Sequence, residues 1–98
     1  MNAQRRKAIA AAQTRFESLK AMLDAAKTEA ENLKAEIEQI RDDEQDAFDS
    51  SPESVQQGER GQAQEAAITA LDTAIEALDE LDALDLDAAG EALDEAKQ

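Results

Sequence analysis

The chain has 98 residues, with 10 Lys and Arg, 24 Asp and Glu, no His and no Cys, and a formal net charge of −14 at pH 7. This composition removes the usual zinc ligands, disulfides and most nucleophile–base pairs, and the negative charge argues against direct DNA binding. The hydrophobic residues are mostly Ala, with 2% aromatics; a single thin core is the most they can build, and self-association is the expected remedy.

Charge is divided along the chain. Residues 1–41 hold eight of the ten basic residues, and residues 42–98 hold eighteen of the 24 acids. Segregated charges of this kind orient a chain that folds back on itself, or recruit a partner. The first stretch, Met1–Ala12, is basic and Ala-rich, without a signal-peptide core. The chain contains no apolar run of the roughly 18 residues that span a membrane. Its expected location is the cytoplasm. Arg5, Arg6 and Lys7 form a candidate anion-binding cluster.

From Ile9 the apolar residues recur with 3-4 spacing: Ile9, Ala12, Phe16, Leu19, Leu23, Ala26, Ala30, Leu33, Ile37, Ile40. With Ile9 as an a position this is a coiled-coil seam, and it predicts a helix over about 4–48. The e positions Lys20, Lys27, Lys34 and Arg41 run beside the seam as a basic stripe.

Asp49-Ser50-Ser51-Pro52-Glu53-Ser54 reads as a break. Ser51, or Ser50 one residue earlier, is the expected cap of a short helical turn over 52–57. Gly58 and Gly61 allow the chain to bend again, so the turn spans about 49–61.

The second helix, about 62–97, has the seam Ile68, Leu71, Ile75, Leu78. Its register slips near 82–87, after which Leu86, Ala89, Leu93 and Ala96 resume in a new phase. A continuous helix carrying this slip is the favoured reading; the alternative is a short third helix capped by Asp85 or Asp87. Asp85 to Gly90 superficially follow a calcium loop, but Ala89 and Ala96 occupy ligand positions. No metal or cofactor is expected, nor is enzymatic activity, since acids on solvated helices rarely gain the raised pKa that acid–base work needs.

The expected fold is therefore all-α: one antiparallel helical hairpin of coiled-coil type over residues 1–98, assembling into a helical bundle, most simply a dimer. Antiparallel folding sets the basic e stripe against Asp72, Glu76, Asp79, Glu80 and Asp82, the candidate partner-binding acidic face. A turn centred near residue 50 brings Arg5 level with about residue 95. One centred near 55 brings Lys20 level with about residue 90 and leaves residues 1–12 projecting as an arm.

The stretch Glu44-Gln45-Asp46-Ala47-Phe48-Asp49-Ser50-Ser51-Pro52-Glu53-Ser54-Val55-Gln56-Gln57-Gly58-Glu59-Arg60-Gly61-Gln62 resembles a turn found in small helical-hairpin accessory proteins of bacteriophages and prophages. The resemblance implies a non-enzymatic protein in a bacterial cytoplasm that binds and inhibits a host protein, as in counter-defence. Joined to the charge pattern, it suggests an acidic, nucleic-acid-mimicking helix face directed at a basic surface of that host protein. The alternatives are an oligomeric sponge holding an anionic nucleotide through Arg5, Arg6 and Lys7, and a structural or scaffolding coiled coil.

Overall fold

A computed structural model describes residues 2–98. They form four helices: α1 (Ala3–Asp49), α2 (Glu53–Gln56), α3 (Glu59–Asp82) and α4 (Asp87–Lys97). The 47 residues of α1 are mainly strong helix formers, uninterrupted by Gly or Pro. Asn2 starts the helix: its Oδ1 accepts the backbone N–H of Arg5 at 2.8 Å, satisfying one of the donors that every helix start leaves open.

Neither serine caps α2 as the sequence suggests, and the residue flanking its start is Pro52. Ser51 instead donates its hydroxyl back to the Ala47 carbonyl at 2.9 Å, which commits it to the last turn of α1. The carbonyl of Pro52 accepts the N–H groups of Val55 and Gln56 at 2.9 and 3.0 Å. Gln56 donates its side-chain amide to the Phe48 carbonyl at 2.8 Å, tying the turn to the end of α1.

The helix does not run through the register slip. α3 ends at Asp82 and α4 begins at Asp87. In the gap, Asp85 Oδ1 accepts the backbone N–H of Asp87 at 2.8 Å, a local bond that competes with helix propagation and starts α4 afresh.

The chain divides into two compact units, one of Glu29–Asp82 and one of Met1–Thr28 with Ala83–Gln98. In the first, α3 runs antiparallel to the distal part of α1. Arg41 pairs with Asp72 and Lys34 with Asp79, a seven-residue step taken in opposite directions on the two helices. Ala30 and Ile68 are the buried hydrophobic residues among those described, while Ile37, Leu71, Ile75 and Leu78 are half-buried. In the second unit, α4 lies along the proximal part of α1, where Gln13 donates to Asp94 at 2.6 Å. Gly90 and Leu93 of α4, with Leu86 just before it, are half-buried, whereas Ala89 and Ala96 are exposed. The face is turned from the expected one because Gly90 lets α4 approach Phe16; a Cβ there would sit 3.0 Å from Phe16 Cε1.

Both contacts match the later turn centre rather than the earlier. Counting back from Gln13–Asp94, Gln98 comes level with about residue 9, so the start of α1 passes the end of α4. Residues 2–8 are exposed throughout.

Candidate interaction surfaces

The seam expected on α1 separates into two faces. Ile9, Phe16, Leu23, Ala30 and Ile37, the a positions, are half-buried or buried, together with the e positions Gln13, Lys20, Lys27, Lys34 and Arg41. The d positions are not: Leu19, Leu33 and Ile40 are 50%, 43% and 54% exposed, and Met22 at a g position is 66% exposed. The in-chain contact thus uses an a/e face rather than the a/d face that the spacing predicts. Long basic side chains make this workable, because their methylene stems cover apolar surface while their charged ends reach acceptors at its edge.

Those acceptors are specific. Arg41 Nε donates to Asp72 Oδ1 at 2.9 Å, Lys34 Nζ donates to Asp79 Oδ1, and Lys27 Nζ donates to the Leu84 carbonyl. The hydrogen bond to Asp79 is the main influence raising the Lys34 pKa, against a smaller desolvation effect of burial. The bond to Asp72, reinforced by its charge, likewise raises that of Arg41. These pairs are accessible to solvent, so they fix register more than they add stability.

The five acids proposed as one binding face consequently have different surroundings. Asp72 and Asp79 are occupied by α1. Asp82 lines a shallow groove between α1 and α3 with Asp79, Lys34, Glu31 and Glu38, floored by Ala30, Ala35 and Leu78. Glu76 and Glu80 are exposed and, among the described residues, without an ion-pair partner. Glu65 is also exposed; it lies 11 residues before Glu76, about three helical turns, on the same side of α3. It borders the contact with α1, lining a groove with Gln45 and Phe48, and was missed because it precedes the Ile68 repeat.

Arg5, Arg6 and Lys7 lie on the exposed first turns of α1, near the positive end of its dipole, and form no ion pair among the described residues. Arg15 is exposed too. It borders an open groove formed by Ala12, Phe16, Leu19 and Met22 of α1 with Leu93 of α4. Among the described residues there is no cluster of three or more acids arranged to hold a metal ion, and no helix is long and apolar enough to cross a membrane. The surfaces on offer are therefore an acidic arc, a basic start and an apolar stripe. Comparison with protein-family models, curated proteins and solved structures returned no match.

Proposed function

We propose that this chain is a non-enzymatic interaction protein of the phage accessory type. It binds and inhibits a bacterial host protein by presenting the outer arc of α3 to a basic, nucleic-acid-binding surface. The observation that supports this reading is the incomplete use of acid inside the fold. Asp72 and Asp79 answer Arg41 and Lys34, while Glu76 and Glu80 remain exposed on a chain of net charge −14. A surface of one sign accelerates encounter with a partner of the other and rejects like-charged competitors.

The test is capture from bacterial lysate by the full chain and by a Glu76→Lys, Glu80→Lys variant. The substitutions spare both ion pairs, so the hairpin is expected to persist while the principal captured protein is lost. Equal recovery of that protein by the two baits would refute the acidic-face mechanism.

A second reading rests on the exposed, unpaired Arg5, Arg6 and Lys7 beyond the end of α4. Several such starts brought together would surround an anionic nucleotide. Calorimetry against cyclic nucleotides separates the readings: the sponge gives saturable heat that Arg5→Ala with Arg6→Ala abolishes, whereas the acidic-face mechanism gives none.

A further inference from the structure

We infer that the apolar stripe left on the outside of α1 seats a second copy of this chain, packed antiparallel against the same stripe of that copy. The in-chain contact uses the a and e positions of α1. The stripe of Leu19, Met22, Leu33 and Ile40 lies roughly 100° around the helix from it and is left open, with exposures from 43% to 66%. Leu19, Leu33 and Ile40 at d positions and Met22 at a g position, with Ala26 at the intervening d position, form a face that can pack knobs into holes on another helix. On a solitary hairpin it has no such role.

With Ala30 and Ile68 the only buried hydrophobic residues among those described, a second apolar contact is also what the thin core requires.

Charge selects both the occupant and its direction. Arg15 flanks the proximal half of the stripe at a g position, Glu36 and Asp43 flank the distal half at the same heptad position, and Glu29 lies at its midpoint. A parallel pair would set each acid against its own copy, and like charges so placed are unfavourable. An antiparallel pair brings Arg15 of each chain alongside the acidic half of the other. It also lays the partner's distal stripe, with its Leu33 and Ile40 side chains, over the groove between Leu19, Met22 and Leu93. The stripe is thus complementary to itself when reversed, as a two-fold interface must be. The inference is independent of the acidic arc on α3 and would stand if that reading failed.

Sedimentation equilibrium of the full chain in the micromolar range is expected to give about 21 kDa, twice the 10.6 kDa of one chain. Leu19→Glu and Leu33→Glu, introduced separately, are expected to raise the dissociation constant by about tenfold or more. Helicity should be kept, because Leu19 and Leu33 are 50% and 43% exposed. If either variant loses helicity, Arg15→Glu serves instead: it leaves the apolar contacts in place and should weaken the pair by adding a like charge beside the partner's acids. Orientation is read from Ala8→Cys in this cysteine-free chain. An antiparallel pair holds the two thiols at opposite ends, so no self-disulfide should form, whereas a parallel pair would bring them together. A wild-type monomer at millimolar concentration, a dimer indifferent to these substitutions, or ready cross-linking at residue 8 would each overturn the proposal.

Discussion

Replacing Gly61 by Ala tests the turn that sets the hairpin register, with Gly58→Ala as its internal control. No glycine among the described residues has positive φ, so neither is needed for a left-handed backbone. At Gly58 an added Cβ would meet the Ser54 and Val55 carbonyls at 3.5 and 3.6 Å, ordinary contact. Replacement there reduces the freedom of the unfolded chain and is expected to stabilise by about 0.4–1 kcal/mol. At Gly61, which is buried, the same Cβ would fall inside the backbone of Gln56, overlapping its carbonyl. Backbone cannot rotate aside as a side chain can, so α2 must move away from α3. Overpacking of this kind costs about 1–3 kcal/mol. Set against a gain of up to about 1 kcal/mol in helix propensity, the net destabilisation should be roughly 1–2 kcal/mol. For a domain of this size each kcal/mol shifts the melting temperature by about 4–8 °C. Melting followed by far-UV circular dichroism, at one fixed protein concentration, should therefore place Gly61→Ala about 5–15 °C below the parent and Gly58→Ala at or above it. A Gly61→Ala protein as stable as the parent would show that α2 and α3 do not approach as closely as described.

Three further outcomes follow from particular contacts. Ile68→Ala should cost about 2–4 kcal/mol, read as a lower urea midpoint with unchanged slope, because Ile68 is the largest buried side chain among those described. The raised pKa of Lys34 means that its bond to Asp79 stabilises fully below the unfolded value, about 10.5, and fades as pH rises through the folded one. The parent should lose stability relative to Lys34→Met in that alkaline range, and parallel pH profiles of the two would contradict this. Asp85→Ala removes the acceptor for the Asp87 N–H and should cost about 1 kcal/mol at the start of α4, seen as faster hydrogen exchange in α4 but not in α3.

Much of the hairpin can be read from the sequence because charges at heptad spacing report direction. Lys34 and Arg41, seven residues apart, meet Asp79 and Asp72, also seven apart, and only antiparallel helices permit both pairs. The side of α1 that faces inward is harder to read. A helix with apolar a and d positions and long-stemmed Lys or Arg at e offers two seams, and the apolar count favours the wrong one. Ionic acceptors on α3 turn the helix towards a/e instead. The break over residues 83–86 is similarly obscure, since Leu84 and Leu86 are good helix formers and neither Gly nor Pro interrupts them. It depends on two polar contacts, Lys27 with the Leu84 carbonyl and Asp85 with the Asp87 N–H, the first of which joins residues distant in sequence. The acidic arc was legible as charge, but its division into occupied and unoccupied acids required the register.

The claim that α1 carries two distinct apolar faces, one for its own chain and one for another, can be tested with single cysteines. Thiol-labelling rates of Ile37→Cys and Leu33→Cys would be compared across protein concentration. Protection at residue 37 should be the same at every concentration, while protection at residue 33 should appear only as concentration rises through the dimerisation range. Concentration-dependent protection at residue 37, or rapid labelling of residue 33 at all concentrations, would contradict it.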